Sequence, residues 1–281
     1  MVKSVKNQIN FFDEFKEWYF KIIADFRFNI EEDRDARDFL SEILTDSSVI
    51  WSFEDIIKSF KDMIQSKFNI LVYGCGPSLE ITMENFEGNF FFNKSVNLAA
   101  DGAAVLLKEK QIPVDGIFTD LDGITINEFN YPEFIIVHAH GDNIKKLKFF
   151  REKIMNFKKI IGTTQVEPIK DILNPGGFTD GDRILYFIKS FLLPHHRIFL
   201  IGMDFNNIIG RYSKPELSKN QEADPVKLKK LLYAIKLVEW FKTQIGNEIY
   251  FVNSKFESKY FKNFKFLSIS EFKEMLLNKI Y

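Results

Sequence analysis

Cysteine is almost absent from this chain, and it has neither a charge excess nor a long apolar run. Cys75 is the one cysteine among 281 residues, so no internal disulfide can form, which is typical of a reducing cytosol. The 38 Lys and Arg nearly balance the 39 Asp and Glu, which argues against nucleic acid or an anionic membrane as partner. No run approaches the roughly 18 apolar residues that a membrane-spanning helix needs. These absences predict a soluble, cytoplasmic protein.

The composition that remains is that of a folded protein. Hydrophobic residues make up 46% and charged residues 27% of the chain, unlike disordered proteins. Charges at Lys3, Lys6, Asp13 and Glu14 argue against a signal peptide. Phenylalanine is in excess, with 32 residues, and its simplest role is to fill the core in place of leucine.

Residues 1–66 are predicted to form a helical region. Apolar residues recur every three or four positions over 9–26 and 53–64, and another helix is predicted over 31–44. Ser52 is placed to cap the third helix. The apolar faces are expected to pack on the following domain, although the same faces could form the interface of a homo-oligomer.

Residues 67–214 are predicted to form an α/β core, in which short apolar runs alternate with helical segments. This alternation indicates an open, mostly parallel sheet with helices on both faces, a Rossmann-like arrangement. The predicted strands are 69–73, 95–100, 116–119, 134–137, 159–162 and 197–201. The predicted helices are 78–86, 103–110, 143–157 and 181–192. Residues 215–281 complete the fold with a helix over 225–245 and an edge strand over 248–252.

Polar residues follow the predicted strands rather than precede them. Because the carboxyl ends of parallel strands meet at one edge of a sheet, where ligands bind, these residues are expected to share one site. They are Asp101, Asp120, Asp122, His138, His140, Asp142, Thr163, Thr164, Gln165 and Asp204. One loop carboxylate is often only a cap or a turn former, but five such strand ends favour a functional site.

Two acidic segments carry the most specific chemistry. Asp120 and Asp122, held at a strand end beside Gly123, can offer oxygens to Mg²⁺, which keeps waters and shares substrate phosphates. Residues 178–183 place two acids and Arg183 at a predicted helix start, where the arginine can hold phosphate. The alternative interpretation of this second segment is a structural acidic cap.

A glycine-containing turn follows the first predicted strand. Gly74, Gly76, Pro77 and Ser78 lie between a strand and a helix, where backbone amides can bind phosphate. The dinucleotide-binding fingerprint would need glycine at the position of Leu79, so an NAD site is not favoured.

Three further features of these segments have simpler interpretations than a catalytic one. Cys75 fills a tight turn rather than acting as a nucleophile. Hydrogen-bonding roles are preferred to zinc binding for His138 and His140, because cysteine partners are absent. Lys145 begins the next helix, near enough to the predicted site to meet phosphate.

Six segments, in this order, resemble those of the archaeal-type 6-hydroxymethyl-7,8-dihydropterin pyrophosphokinase family, whose core is similar to that of thiamin pyrophosphokinases. They are GCGPSL at 74–79, AADGA at 99–103, PVDGIFTDLDG at 113–123, HAHGDN at 138–143, NPGGFTDGDR at 174–183 and GMDF at 202–205. The resemblance covers about residues 70–213, and the flanking helices carry no such motif.

The resemblance implies transfer of diphosphate from ATP to the hydroxymethyl group of a reduced pterin, with release of AMP, in tetrahydromethanopterin or related pterin biosynthesis. It implies Mg²⁺ at Asp101, Asp120 and Asp122. His140 or Asp142 would orient or deprotonate the attacking hydroxyl. ATP and its phosphates would be bound by Gly74, Gly76, Pro77, Ser78, Lys145, Thr179 and Arg183. The substrate would be bound by Asp101, Thr163, Gln165, Asp180 and Asp204.

Three alternatives stay open beside this interpretation. A nucleotide-sugar glycosyltransferase can share the core, although such proteins are usually much longer. A thiamin pyrophosphokinase would use the same chemistry, although Asp122-Gly123 departs from the Asp-Ser typical of that group. A module that binds nucleotide without turnover would not need so many carboxylates that can bind metal.

Overall fold

The computed structural model describes residues 8–47, 52–86, 90–254 and 260–277, so the first seven residues of the predicted helical region lie outside it. The helices are α1 Phe12–Phe26, α2 Ile30–Thr45, α3 Phe53–Gln65, α4 Ser78–Glu84, α5 Ala103–Glu109, α6 Ile126–Phe129, α7 Ile144–Asn156, α8 Asp180–Ile188, α9 Pro225–Lys242 and α10 Ile269–Leu277. The strands are β1 Asn69–Tyr73, β2 Ser95–Ala100, β3 Gly116–Thr119, β4 Phe134–Ala139, β5 Ile160–Thr164, β6 Ile172–Leu173, β7 Arg197–Ile201, β8 Ile208–Ile209, β9 Gln221–Glu222, β10 Glu248–Val252 and β11 Lys265–Leu267.

Nine of these strands form one parallel sheet in the order β11-β10-β7-β1-β2-β3-β4-β5-β6. The chain steps outward from β1 to β6 and then returns to place β7 on the other side of β1. The chain therefore continues from β1 toward one lateral edge of the sheet and from β7 toward the other. In open parallel sheets such a reversal creates a crevice at the carboxyl edge, where ligands bind. β8 and β9 form a separate antiparallel pair.

Helices cover both faces of the sheet, because its strands are apolar on both sides. Every residue of β1 through β4 is buried. One core lies between the sheet and α1, α3, α8 and α9. The other face is covered by α4, α5 and α10 at one end and by α2, α6 and α7 at the other.

Phenylalanine fills the core, as its excess predicts. Phe60 of α3 packs edge-on against Phe134 and Phe187, with ring centroids 5.1 Å apart in both pairs. The same ring lies 6.4 Å from that of Phe118. These contacts join a helix of the N-terminal region to the sheet, so that region shares its core with the α/β part of the chain.

The predicted fold class is confirmed, some predicted elements end at other residues than expected, and several short elements were not predicted. β4 continues two residues beyond the predicted end and includes His138. The strand over 248–252 forms, but it is not an edge strand because β11 pairs with its outer side. β6 was not predicted, because it has only two residues. No helix within the described ranges is long and apolar enough to cross a membrane.

Candidate functional site

Three carboxylates meet at the carboxyl edge of the sheet. Asp101 follows β2, Asp120 follows β3, and Asp180 begins α8. One ligand oxygen from each lies within 4.8 Å of the other two. Like charges this close repel each other, so a divalent cation held between the oxygens would stabilise the group. The donor set therefore fits Mg²⁺.

Asp101 is held in place by its neighbours. Its φ of +46° is in the left-handed region, which aspartate tolerates better than most residues. The Thr119 hydroxyl donates to its Oδ1 at 2.6 Å. A Cβ on Gly123 would lie 2.2 Å from its Oδ2, so this glycine leaves room for the carboxylate. Burial raises the pKa of Asp101 well above its usual value, and Asp120 and Asp180 raise it further.

Asp120 is paired with a histidine. Its Oδ2 lies 3.2 Å from Nε2 of His140, and its Oδ1 accepts from the Asp122 amide at 3.0 Å. Burial, the largest single effect, opposes ionisation, but the His140 ring, the Asp122 amide and Lys230 together keep the pKa of Asp120 below its ordinary value. Asn143 donates to the backbone oxygens of Asp120 and His138, which fixes the two strand ends relative to each other.

The second acidic segment divides into a cap and a site residue. Asp182 accepts hydrogen bonds from the amides of Phe178 and Thr179 and from the Thr179 hydroxyl, so it caps α8. Asp180 instead belongs to the carboxylate cluster. Burial raises the pKa of Asp180 to about 7, with Asp120 adding to the effect. The acidic-cap interpretation therefore holds for Asp182 and not for Asp180.

Asp122 is not part of this carboxylate cluster. Its carboxylate is half exposed and lies 3.4 Å from Nζ of Lys214. Its backbone amide, not its side chain, contacts Asp120. Of the three carboxylates predicted to hold Mg²⁺, Asp101 and Asp120 thus lie together with Asp180, and Asp122 lies apart from them.

Arg183 is a buried cation without an ion pair. It is 2% exposed, and no carboxylate oxygen of the described residues lies within 4.0 Å of its guanidinium nitrogens. Its NH1 and NH2 groups donate to the carbonyls of Gly177 and Phe178 at 3.3 and 3.2 Å, and its Nε has no hydrogen-bond partner among the described residues. Burial lowers its pKa, although Asp180 and Asp182 partly offset this. Such a guanidinium, with N–H groups to spare, is suited to an incoming phosphate.

Two cavities open at this edge of the sheet and share one wall. The larger has a volume of about 260 Å³ and the smaller about 130 Å³. Thr179, Asp180 and Lys227 line both cavities and form the partition between them. Asp120 lines the larger cavity and Asp101 the smaller, so the three carboxylates straddle the partition.

The two cavities differ in their chemistry. The larger cavity is lined mainly by charged and polar side chains, among them Arg27, Glu32, Asp33, His138, His140, Asp142, Gln165, Arg183 and Lys230. The smaller cavity is lined by the turns after β1 and β7 and by apolar side chains, among them Gly74, Cys75, Gly76, Met203, Asp204, Phe205, Ile208, Ile209 and Leu231.

The glycine turn after β1 does not form the predicted phosphate cradle. The amides of Gly74 and Gly76 donate to the carbonyls of Ile201 and Gly202, at 2.8 and 2.7 Å. The amide of Ser78 donates to Asp204 at 2.6 Å, and Pro77 has no N–H. These donors are therefore occupied.

The glycines of this turn serve close packing instead. A Cβ on Gly76 would lie 2.6 Å from the carbonyl oxygen of Gly202, and one on Gly202 would lie 2.4 Å from that of Gly74. Cys75 lies in the same turn and donates to the Ala100 carbonyl at 3.3 Å. Burial raises the pKa of its thiol, so it is not an activated nucleophile.

The other residues predicted for the site lie in the wall of the larger cavity, behind that wall or on the protein surface. Asp142 and Gln165 line the larger cavity. Thr163 lies behind the wall, with its hydroxyl 3.2 Å from Nδ1 of His138. Lys145 is exposed on α7 and lines neither cavity, so the structure does not support its predicted contact with phosphate.

Both flanks of the core contribute residues to the site that were not predicted from the sequence. Arg27 lies in the turn between α1 and α2, and Lys227 and Lys230 lie on α9. Asp33 of α2 accepts hydrogen bonds from the Gly141 amide, the Tyr19 hydroxyl and the Gln165 amide group, at 2.7 to 2.8 Å. The N-terminal region thereby braces the site.

Comparison with known proteins identifies relatives over most of the chain. A sequence profile of the family described as 6-hydroxymethylpterin diphosphokinase MptE-like matches residues 22–210. The chain is 36% identical over 232 residues to a 6-hydroxymethyl-7,8-dihydropterin pyrophosphokinase of Pyrococcus furiosus, covering 82% of this chain and 94% of that protein. Proteins of the same name from Methanothermobacter thermautotrophicus and Methanocaldococcus jannaschii are 37% and 34% identical, covering 79% and 84% of this chain and 91% and 98% of theirs.

Proposed function

The chain belongs to the 6-hydroxymethylpterin diphosphokinase MptE-like family, and on that premise we propose that it transfers diphosphate from ATP to 6-hydroxymethyl-7,8-dihydropterin. The products are the pterin diphosphate and AMP, and the reaction takes place in the cytoplasm. The pterin hydroxyl oxygen forms a bond to the β-phosphorus, and the bond from that phosphorus to the oxygen of AMP breaks. The hydroxyl proton passes to a base of the site.

The observation that carries this proposal is a buried, unpaired arginine beside a carboxylate cluster. Phosphoryl transfer needs charge neutralisation and alignment more than covalent help from the protein. Arg183 can donate to phosphate oxygens, and Lys227 lies in the partition where a transferred group must pass. A module that only bound nucleotide would not need three carboxylates whose oxygens lie within 4.8 Å.

Asp101, Asp120 and Asp180 are the residues that would hold Mg²⁺. The ion supplies positive charge that offsets the charge of the phosphates. Asp120 in turn orients the His140 ring through a contact of 3.2 Å. We assign the hydroxyl proton to His140 rather than to Asp142, because His140 contacts the carboxylate cluster and Asp142 is exposed at the cavity wall.

The test is product analysis with matched variants. Wild-type protein, ATP, Mg²⁺ and the reduced pterin alcohol should give AMP, and ADP as the nucleotide product would refute diphosphate transfer. Asp180→Asn should reduce turnover at least 100-fold, whereas Asp122→Asn should retain most of it, because only Asp180 lies in the cluster. Turnover on thiamin or a nucleotide sugar instead of the pterin would favour the alternatives, and binding of ATP without any turnover would favour a sensing module.

A further inference from the structure

Size and charge distinguish the two cavities as binding sites. ATP is the larger substrate and carries the negative charge. The larger cavity is the roomier of the two, and although acids line both cavities, Arg27, Arg183 and Lys230 line only the larger one. The wall of the smaller cavity includes Met203 and Leu231, and it lacks an arginine. A polyphosphate therefore matches the cavity that contains the arginines, and a flat heterocycle with N–H donors matches the smaller cavity, which contains Asp204.

The smaller cavity also contains a carboxylate in a fixed position. Asp204 is 7% exposed and follows β7. Its Oδ2 accepts from the amide of Ser78 at 2.6 Å, which pins the side chain against the first turn of α4. Pterin presents two adjacent donors, the ring N3–H and the 2-amino group, which a carboxylate can accept together. Adenine has no such adjacent pair of donors at its pyrimidine ring.

The position of the carboxylate cluster links the two cavities. Asp101 lines the smaller cavity, Asp120 the larger, and Asp180 both. A hydroxymethyl group beside Asp101 and Asp180 in the smaller cavity would therefore lie at the partition, where the β-phosphate of a nucleotide in the larger cavity could meet it. Two substrates bound in this way would have their reacting groups next to each other, which transfer between them requires.

We propose that the pterin binds in the smaller cavity, with Asp204 as the residue that recognises its 2-amino-pyrimidine edge, while ATP binds in the larger cavity. This inference rests on the proposed function and deepens it. The turn containing Gly74 and Gly76 then forms a wall of the pterin site rather than a phosphate site. The sequence-based assignment of Asp204 to the substrate is retained, and that of the two glycines to ATP is changed.

The experiment compares one variant from each cavity. Asp204→Asn keeps an oxygen for the Ser78 amide but places an amide against donors of the pterin. We expect it to raise the KM for the pterin at least tenfold while the KM for ATP changes less than twofold. Lys230→Gln should show the opposite pattern, and Lys236→Gln, on the exposed face of the same helix, should change neither KM.

A substrate analogue tests the recognition itself. The 6-hydroxymethyl lumazine analogue has an oxygen in place of the 2-amino group, so wild-type protein should prefer the pterin and Asp204→Asn should lose that preference. If Asp204→Asn does not fold, Leu231→Phe narrows the same cavity from α9 and should raise only the KM for the pterin. A raised KM for ATP instead, or an unchanged preference against lumazine in Asp204→Asn, would overturn the inference.

Binding measurements distinguish failure of the proposed function from failure of this division of the cavities. If wild-type protein forms no AMP, calorimetric binding of the pterin alone and of ATP alone still reports on each cavity. Loss of pterin binding in Asp204→Asn with ATP binding retained would support the division of the cavities in that case. Loss of ATP binding with pterin binding retained would overturn it.

Discussion

Replacing Arg183 by methionine should remove most of the activity and leave the fold nearly unchanged. The guanidinium has five N–H groups, and two of its nitrogens donate to protein carbonyls. N–H groups therefore remain for phosphate oxygens. Two charge-assisted hydrogen bonds to the transferred group contribute about 3–4 kcal/mol, which corresponds to a loss of roughly 10²–10³-fold in kcat/KM.

The stability of the Arg183→Met variant should change little. No carboxylate oxygen of the described residues lies within 4.0 Å of Arg183, so no close ion pair is broken. Removing a buried cation recovers its desolvation penalty, while Asp180 and Asp182 lose a favourable charge. Because these effects oppose each other, we expect the free energy of unfolding to change by less than about 2 kcal/mol.

The assay is AMP formation under varied ATP and pterin, with thermal unfolding of each variant in parallel. Arg183→Lys keeps the charge but loses the planar fork, so it should recover only part of the activity. Arg151→Met is the matched control, because Arg151 is partly exposed on α7, away from both cavities, and pairs with Asp46 at 2.7 Å. Exposed pairs contribute about 0–1 kcal/mol, so this control should retain wild-type kinetics.

Two outcomes would refute the reasoning about Arg183. A kcat/KM for Arg183→Met within threefold of wild type would mean that the guanidinium does not meet the transferred group. A large loss of stability would mean that its contacts with Gly177 and Phe178 hold the start of α8 in place, and the kinetic loss would then report misfolding.

Three further predictions concern other parts of the fold. Gly202→Ala should lower the free energy of unfolding in urea by more than about 3 kcal/mol, because φ of Gly202 is +70° and a Cβ there would lie 2.4 Å from a backbone oxygen. Gly246→Ala should leave the free energy of unfolding nearly unchanged, because no atom of the described residues lies within 4 Å of a Cβ at that position. Lys227→Gln should lower kcat about tenfold, and an equal effect of Lys236→Gln would contradict a role in the partition. Burial lowers the pKa of His196 from an ordinary 6.5 to about 4, so the unfolded chain binds the proton at a higher pH than the folded chain. The free energy of unfolding should therefore fall as the pH drops below 6.5, by about 2 kcal/mol at pH 5. Urea unfolding of His196→Asn should show less of this loss, and an identical pH profile would exclude His196 as its source.

The sheet could be predicted from sequence because its strands are buried on both faces. Such strands are continuous apolar runs, and β1, β2, β3 and β7 have the predicted bounds. β6 and β11 have two and three residues, too few to show any pattern against the surrounding chain. Their pairing depends on a neighbouring strand that is already in place.

The position of the site could also be predicted from the sequence, but the full set of residues that form it could not. Polar residues after parallel strands must share one edge, which places Asp101 and Asp120 together. Which acid completes the cluster depends on side-chain direction, and Asp122 and Asp180 look alike in sequence. The cations of α9 and the turn before α2 reach the site only through tertiary packing, so no local pattern could reveal Lys227 or Arg27.

The glycine turn shows why one motif can support two interpretations. A strand, a glycine pair and a helix have the same sequence pattern whether the backbone amides face a ligand or another loop. Here the turn after β7 supplies both the acceptor carbonyl of Gly202 and the carboxylate of Asp204. The partner lies more than 120 residues away along the chain, as the separation of 126 between Ser78 and Asp204 illustrates.

The return of the chain to β1 also has a consequence for biosynthesis. Until Arg197–Ile201 has been made, β1 can pair only with β2, and its other edge stays open. An open edge on a strand that is apolar on both faces invites pairing with another chain. A ribosome-bound or truncated chain that ends before residue 197 is therefore an aggregation-prone intermediate, and folding is completed only when the last third of the protein has been synthesised.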